Sequence, residues 1–563
     1  MRRRTFFIIL MVLIGTTYGQ AQQLDRIGEE GGLKTSGGIS VDQVYRQNAY
    51  HKGKPWSVVA TGRLNTSIYG MSVPLSFTWS NERWTYTQPF NQFSISPSYK
   101  WATLHLGRAS MNFSPYSLSG HSFAGAGVEV EPGDKFRLKV MHGRLKKALE
   151  GDTAKGYDPA YRRTGSGLQG SYNFDRGEVG MSLFYGADDT RKPVDYIDTL
   201  GIRPKENIVL TSHLNYRLTD HLSIVTDLGI SNLSRNRRES GATQMNGRAT
   251  YRYHAAKTSL TYNSSIGSVG GSVEYVEPGY ETLGAYYTVN DLVHYTLNVA
   301  TSLFEGRVTA AGSGGVRQNN LDGNSDSQSR DVVSNINIGF SPSKKLTFNL
   351  AYSNFTNYTH VRTQFDEVEA QTEYELMDTL RFTQISENAN LSANWRISES
   401  ESSSHALMFN LGVQKASQSQ SDVPDHTNSN FVNASSGYQW NMSSNDFSMG
   451  LNTNYSRNET AESVNEIIGP VLQLRKSFFD KTFDNSFSAS WNGTYKDGNT
   501  SGRVLSARLN HSYTIKEKHR FSLSGSYKVR QARDREDREY FTISLRYSYN
   551  FSWPSKDNRS LDR

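Results

Sequence analysis

The strongest constraint on the fold is a two-residue alternation of apolar and polar side chains. In the last such segment every second residue from Phe541 to Phe551 is apolar, and the residues between them are Thr, Ser, Arg and Asn. Successive side chains of a β-strand point to opposite faces, so this period predicts a strand with one apolar and one polar face. The period recurs in other segments, among them 505–515, 521–530, 222–230, 346–353 and 447–455.

The length of these runs and the composition together indicate what the apolar face contacts. Each run has about the ten residues that a tilted strand needs to cross a bilayer. Only 36% of the residues are hydrophobic, whereas 12% are aromatic, and globular domains usually reach about 45–50% apolar residues. A large soluble protein needs a continuous apolar core, but a wide barrel needs only an apolar outer band. The sequence therefore predicts an all-β fold, a single antiparallel transmembrane β-barrel.

Two kinds of connection separate the predicted strands. Short segments with turn residues lie at 131–134, 175–177, 219–221, 342–344, 443–445 and 516–518, and we also place turns near Tyr69-Gly70 and His254-Ala255. Longer polar segments lie at 186–206, 234–243, 356–379 and 415–428. Tight turns at one end and long loops at the other are typical of bacterial barrels, and about twelve short turns predict about 24–26 strands.

The first residues have the pattern of a secretory signal. Arg2, Arg3 and Arg4 precede the short apolar run Phe6 to Ile14, and Gly19-Gln20-Ala21 fits a small-x-small cleavage site. The chain has no Cys, which excludes both a lipid-modified cysteine and disulfides. We therefore predict a signal peptide at 1–21, a periplasmic lead-in at 22–36, the transmembrane β-barrel at 37–553 and a polar C-terminal tail at 554–563.

Two stretches carry a resemblance to known proteins. Phe551-Ser552-Trp553 is similar to the aromatic-ended last strand that the barrel-assembly machinery recognises, although the charged tail after it departs from the usual pattern. The segment Pro278 to Tyr287 resembles an uncharacterised, porin-like group among the large outer-membrane β-barrel proteins of Bacteroidota-type bacteria. The resemblance implies the cell outer membrane as location and outer-membrane lipid and the assembly machinery as partners. Because only 22–36 precede the first predicted strand, we expect no plug domain.

A set of basic residues alternates with apolar ones and is predicted to line the pore. These candidates are Arg508, Lys528, Arg530, Arg546, Arg137 and Lys139. One interpretation is a basic pore wall that favours anionic solutes. The other is that these charges pair with lumen carboxylates such as Asp227 and brace the barrel.

The Gly-rich stretch from Gly267 to Asp291 is the candidate for a loop folded into the pore. Its tyrosines could stack on a ligand and hydrogen-bond it, since a phenol offers a flat apolar area and one polar tip. These residues are Tyr275, Tyr280, Tyr286 and Tyr287. The alternative is another strand pair with tyrosines at the membrane interface. The loop from Ser110 to Ser122 is a second candidate for an inward turn.

Other sequence features argue against enzyme, metal and nucleic-acid roles. His121-Ser122 lies in a near match to a hydrolase nucleophile elbow, but Ala124 replaces the required glycine. The acidic run from Asp366 to Asp378 lacks calcium-loop spacing. The net charge of +7 includes three signal arginines and does not call for nucleic acid. We expect no enzyme activity and no cofactor.

The leading functional hypothesis is therefore a channel, a porin-like passage for small polar or anionic solutes. The alternative is a plugged or partner-filled barrel that works with an envelope or surface protein in export or assembly. An outer-membrane hydrolase built on His121 and Ser122 is the second alternative.

Overall fold

The computed structural model is all-β, and its strands occupy most of the described chain. The described residues are 33–48, 55–68, 70–81, 92–151, 158–239, 244–245, 248–323, 330–354, 356–359, 383–416, 429–460, 462–533 and 535–553. The signal peptide, most of the lead-in, the acidic run and the C-terminal tail lie outside these residues and stay predictions.

The first half of the chain forms thirteen successive barrel strands, of which the fourth is split. They are β1 Lys34–Asn48, β2 Trp56–Ile68, β3 Met71–Ser80, β4 Gln92–Ile95 with Ser98–Tyr99, β5 Ala102–Ser110, β6 Ser122–Val130, β7 Phe136–Lys146, β8 Arg163–Phe174, β9 Gly177–Asp188, β10 Glu206–Arg217, β11 Leu222–Ser234, β12 Tyr251–Ser264 and β13 Gly267–Val276.

The second half forms the other thirteen, of which β17 is split. They are β14 Leu292–Leu303, β15 Val308–Gln318, β16 Arg330–Ser343, β17 Leu346–Ser353 with Thr356–Thr359, β18 Thr383–Glu399, β19 Ser403–Ala416, β20 Ser429–Met442, β21 Phe447–Thr460, β22 Val464–Phe478, β23 Phe483–Lys496, β24 Asn499–Ile515, β25 His519–Ala532 and β26 Arg535–Trp553. A small hairpin, Gln244–Met245 with Arg248–Ala249, and the 3₁₀ turns Asp195–Asp198 and Ser443–Asn445 lie in connections.

Each strand pairs antiparallel with its neighbours, and the last strand pairs with the first. The register of β1 with β26 runs from Thr35 opposite Trp553 to Asn48 opposite Tyr540. The sheet is therefore a closed antiparallel barrel of 26 strands, which confirms the predicted fold class. Closure leaves no edge strand with unpaired backbone groups, as a lipid environment requires.

The two faces of the barrel differ in polarity as the alternation predicts. On the outer face the apolar side chains are exposed, for example Leu545 at 46% and Leu183 at 46%. The opposite face of the same strands is polar, and on β1 it carries Asp42 and Arg46, both buried in the structure. An apolar outside and a polar inside are the architecture of a large outer-membrane-type barrel.

The connections alternate in length from β1 to β21, and those that follow are short at both ends of the barrel. Every even-numbered strand through β24 is joined to the next by a short turn at one end, such as Ile68 to Met71 and Ile515 to His519. Most of the longer connections lie at the opposite end, for example 147–162 and 277–291. The turn near Tyr69-Gly70 is confirmed. The turn predicted near His254-Ala255 is wrong, because both residues lie within β12 and the turn comes after Ser264.

Candidate solute pathway in the barrel lumen

Two long connections fold against the inner wall of the barrel. They are residues 111–121, between β5 and β6, and residues 277–291, between β13 and β14. Together we call them the inner shelf. Their buried side chains pack on lumen-facing residues of β6 to β14, so the shelf covers that sector of the wall.

Polar contacts attach residues 277–291 to the strands beneath them. Ser231 Oγ donates to the carbonyl oxygen of Glu281 at 2.7 Å. Asn207 Oδ1 accepts a bond from the Leu283 amide at 3.2 Å. Lys205 Nζ lies 2.7 Å from the Glu281 carboxylate. These contacts fall on β10, β11 and the residue before β10, two and three strands from β13.

The two loops also bind each other. The Tyr280 hydroxyl donates to the Tyr116 carbonyl oxygen at 2.7 Å, and Thr282 Oγ1 donates to the Ser117 carbonyl oxygen at 2.8 Å. The Ser119 amide donates to the Gly284 carbonyl oxygen at 3.1 Å. Buried backbone carbonyls on both loops therefore find partners, as a folded-in loop requires.

An apolar cluster lies between the shelf and the wall. Leu118 and Leu283, one from each loop, are fully buried. They pack with wall residues and with the rest of the first loop, namely Met111, Phe113, Phe123, Met141, Leu145, Phe184 and Val209. Removing these apolar side chains from water is favourable, so the cluster stabilises the inward position of both loops.

The structure separates the four tyrosines predicted for this stretch. Tyr275 lies in β13, where its side chain is 38% exposed on the apolar outer face. Tyr280 is fully buried within the shelf. Tyr286 stacks on His121 with ring centroids 4.0 Å apart, and Tyr287 is 65% exposed. Only Tyr286 and Tyr287 therefore present accessible ring surface from the loop.

Burial sets the ionisation of groups in the shelf. Desolvation raises the pKa of Tyr280 above its ordinary value, so the phenol stays a donor. Desolvation also raises the pKa of Tyr116, and the Glu274 carboxylate that its hydroxyl contacts at 2.9 Å adds to this effect. Desolvation lowers the pKa of His121, with the cations Arg163, Arg108 and Lys146 acting in the same direction.

Beneath the shelf, ionisable side chains cross adjacent strands in one row. Basic and acidic groups alternate from β10 to β14, and the last two groups, on β14 and β15, are both basic. The register aligns His213 with Asp227, Asp227 with Lys257, Lys257 with Glu274, Glu274 with His294, and His294 with Arg317. We call this row the charge ladder. His213 Nδ1 is 2.8 Å from Asp227 Oδ1, and Lys257 Nζ is 3.4 Å from Glu274 Oε2. Sequence reasoning named Asp227 and Glu274 separately but did not predict the row, because cross-strand register joins residues far apart in sequence.

Four of the predicted pore residues lie on the lumen face of β24 to β26. Arg508 and Lys528 alternate with Leu509 and Tyr527, which are exposed on the outer face. Arg530 is opposite Arg538 in β26. The same sector, from β22 to β2, presents further cations on its inner face. These are Arg475, Arg520, Arg538, Arg46 and Arg63.

Some of these cations have partners. Arg546 forms an ion pair with Asp42 across the β26–β1 pair. Lys528 Nζ lies 5.6 Å from the centroid of the Tyr540 ring. Arg137 Nε is 2.5 Å from Glu131 Oε1 next to a short turn, and Lys139 is opposite Glu129. Arg137 and Lys139 thus lie on β7, seven to nine strands from the β24–β26 group, so the structure does not bring all six candidates together.

His121 and Ser122 do not have the geometry of a hydrolase pair. His121 Nδ1 is 2.8 Å from the backbone carbonyl oxygen of Ser122. The Ser122 hydroxyl accepts a bond from Arg108 Nη2 at 2.5 Å and lies 3.2 Å from the Tyr286 hydroxyl. The ring nitrogen Nδ1 of His121 is therefore engaged by a backbone carbonyl and not by the hydroxyl that a catalytic base would deprotonate. These two residues hold the tip of the shelf.

Within the residues that the structure describes, no group of three or more His, Asp or Glu side chains could hold a metal ion. No helix in the same residues is long and apolar enough to cross a membrane.

Comparisons with known proteins concern the overall fold. No protein-family model matches the chain, and no curated protein matches it. Among solved structures, the translocation pore of the P pilus usher PapC is similar with a TM-score of 0.39 and 10% identity, over 92% of this chain and 99% of that chain. OccAB2 of Acinetobacter baumannii is similar with a TM-score of 0.31 and 7% identity, over 92% of this chain and 98% of that chain. The ferric preacinetobactin receptor BauA of the same organism has a TM-score of 0.35 and 9% identity, over 91% and 80%.

Proposed function

We propose that this chain is an outer-membrane channel that passes small polar and anionic solutes. The observation that supports this proposal is that the lumen wall has two different sectors. The shelf covers the sector from β6 to β14, whereas β22 to β2 present a polar inner face rich in Arg and Lys. Solutes would pass along the basic sector, beside the shelf.

The charge of that sector supports a preference for anions. Arg508, Lys528 and Arg530 lie on the neighbouring strands β24 and β25. The same wall also carries the carboxylates of Asp42 and Asp484. Fixed positive charge on a wall surrounded by lipid raises the local concentration of anions and lowers their barrier to entry.

The proposal includes the location and the partners that a channel of this kind needs. The apolar outer face would contact outer-membrane lipid, and the barrel-assembly machinery would insert the chain after export by the predicted signal. An envelope or surface protein remains the partner under the competing hypothesis, in which the lumen is filled.

Conductance of the refolded mature chain in a planar bilayer tests the proposal. We expect steady openings and, in a salt gradient, a reversal potential of the sign that indicates anion preference. The triple variant Arg508→Ser, Lys528→Ser and Arg530→Ser should lose that preference. The matched control is Arg503→Ser, because Arg503 packs 5.9 Å from the ring centroid of Trp491, a side chain exposed on the outer face.

Two results would overturn the proposal. The first is silence from a preparation whose gel mobility still shifts on boiling, as that of a folded barrel does, because it would mean that the lumen is closed. The second is an unchanged reversal potential in the triple variant, which would mean that the basic residues only brace the wall.

A further inference from the structure

A second feature of the lumen lies outside both the shelf and the basic sector. It is a groove of about 980 Å³ that begins at the turn between β12 and β13 and crosses the inner wall to β20. We call it the amide groove, because Asn337, Asn390 and Asn433 lie along its floor. It starts at the short-turn end of the barrel.

One cross-strand row forms the floor of the groove. The register aligns Ala300, Ala311, Asn337, Ala351, Asn390, Gly412 and Asn433 on seven successive strands, β14 to β20. Carboxamides thus alternate with Ala or Gly toward the β20 end of the row. Strands are spaced by about 4.8 Å, so the row is about 29 Å long and its amides recur about every 9.6 Å.

The small residues create the space, and Gly412 shows how. A Cβ atom at Gly412 would lie 2.9 Å from Asn390 Oδ1. Any larger side chain at this position would therefore extend over the floor between Asn390 and Asn433. The large apolar residues of the same strands, such as Leu391 and Leu411, are exposed on the outer face.

Among the described residues that line the amide groove, none is charged. The polar side chains are Asn, Gln, Ser and Thr, for example Asn349, Asn410 and Gln414. This neutrality contrasts with the charge ladder on β10 to β15 and with the basic sector. An ionic ligand would lose its hydration here without gaining a counter-charge.

The groove also contains a buried acceptor without a partner. Asn433 is only 7% exposed, and its Oδ1 has no hydrogen-bond partner. Gln414 also lines the groove, and its Oε1 is likewise buried without a hydrogen-bond partner. Buried polar atoms are nearly always paired, so two unpaired acceptors in one groove call for a ligand that donates hydrogen bonds.

We propose that the amide groove binds a neutral, extended polyhydroxylated ligand, an oligosaccharide. Hydroxyl groups donate to carboxamide oxygens and accept from carboxamide N–H groups, so each Asn can make paired bonds with a sugar. The neutral lining disfavours ionic sugars, which would lose hydration without gaining a counter-charge. The length of the row suits several sugar units, and the alternation of small residues gives the rings room over the sheet.

A peptide fits the groove less well. Extended peptides are recognised by main-chain pairing with a sheet edge and by pockets for alternate side chains. The closed barrel has no edge, and the floor carries Ala, Gly and Asn instead of pockets. The inference goes beyond the proposed channel, since a groove of this kind can bind a ligand in a barrel that does not conduct.

Calorimetry on the full mature chain tests the inference. The protein is refolded in an amine-oxide detergent, because glucoside detergents would compete, and is titrated with maltohexaose, cellohexaose and the anionic hexamer of galacturonic acid. We expect saturable binding of at least one neutral hexasaccharide, and much weaker binding of the anionic one.

Two variants and a control locate the site. Gly412→Leu fills the floor and Asn433→Leu removes the unpaired acceptor, so each should weaken binding by about tenfold, as loss of one or two ligand hydrogen bonds would. Ser526→Leu makes a similar change on the lumen face of β25, away from the groove, and should leave binding unchanged. Each variant must shift on a gel when boiled.

The inference is overturned if the folded chain binds neither neutral hexasaccharide, or if binding survives both groove variants. Tighter binding of a neutral Gly-Ser hexapeptide than of either sugar would assign the groove to peptides instead. The result is separable from that of the channel, because Arg508→Ser should change ion selectivity and leave sugar affinity alone, and Gly412→Leu should do the reverse.

Discussion

The Tyr280 hydroxyl donates a hydrogen bond of 2.7 Å to the Tyr116 carbonyl oxygen, and the two residues are 164 positions apart. Their rings also meet edge to face with centroids 6.1 Å apart. The Tyr116 hydroxyl in turn donates to Glu274 of the charge ladder at 2.9 Å. One chain of contacts therefore connects both loops of the shelf with the wall.

Tyr280→Phe should loosen the shelf without removing it. The variant keeps the ring and leaves the Tyr116 carbonyl without this donor, which should cost about 1–3 kcal/mol of local stability. We expect faster amide hydrogen exchange in 111–121 and 277–291, and larger fluctuations of the single-channel current. Tyr287→Phe is the matched control, since the Tyr287 side chain is 65% exposed. Equal exchange in the two variants would contradict the role assigned to Tyr280.

The charge ladder predicts that Lys257 cannot be neutralised without loss of stability. Lys257 is aligned with Asp227 on one side and Glu274 on the other. Lys257→Met would leave these carboxylates without the cation between them, so we expect a lower temperature of heat modification on gels. Lys257→Arg should retain most of the stability. The variant Glu274→Gln with Lys257→Met should recover part of the loss, because it removes one of the two uncompensated charges.

The strands were predictable from sequence because their signal is local. The alternation around Leu545 and Leu509 needs only the period of two and the length of each run. Turn positions were harder to predict. The turn after β12 has Ser265 and Ile266 at its corner, between Ser264 and Gly267, so it does carry turn residues that the prediction passed over. His254-Ala255 interrupts the alternation and yet lies within the strand.

The interior was less predictable because it depends on register and on tertiary contacts. The stretch from Gly267 to Asp291 combines both interpretations given to it, since its first part forms β13 and its second part forms the loop of the shelf. The ladder joins residues such as His213 and Arg317 only through four intervening strands. The row that forms the floor of the amide groove, with Gly412 and Asn433, has no recognisable local sequence pattern, because Ala, Gly and Asn are common at lumen positions of any wide barrel.

Acidification should loosen the tip of the shelf through His121. Burial lowers the pKa of His121 below its ordinary value of 6.5, so the folded contact favours the neutral ring. The stability from this effect is fully present above pH 6.5 and is lost as the pH falls from there toward the lowered pKa. Hydrogen exchange in 283–288 should therefore accelerate between pH 7.5 and pH 5.

His121→Phe is the test of that assignment. Phenylalanine can keep the stack on Tyr286, whose ring centroid lies 4.0 Å from that of His121, and it does not titrate. The accelerated exchange at pH 5 should disappear in the variant, after correction for the intrinsic pH dependence measured in an unstructured peptide. If it persists, another group in the shelf is responsible.

The pair Arg546 and Asp42 should determine how firmly the barrel closes. It joins the last strand to the first, and the Asp42 side chain is 8% exposed whereas that of Arg546 is 47% exposed. Removal of one partner of a fully buried pair costs about 3–5 kcal/mol of stability. Because Arg546 is partly exposed, we expect Asp42→Ala to lower the free energy of unfolding by about 3 kcal/mol or less. The charge swap Asp42→Arg with Arg546→Asp should restore part of it. A double-mutant cycle on the urea dependence of unfolding in lipid vesicles measures the coupling. Additive effects of the single variants would mean that backbone pairing alone closes the barrel.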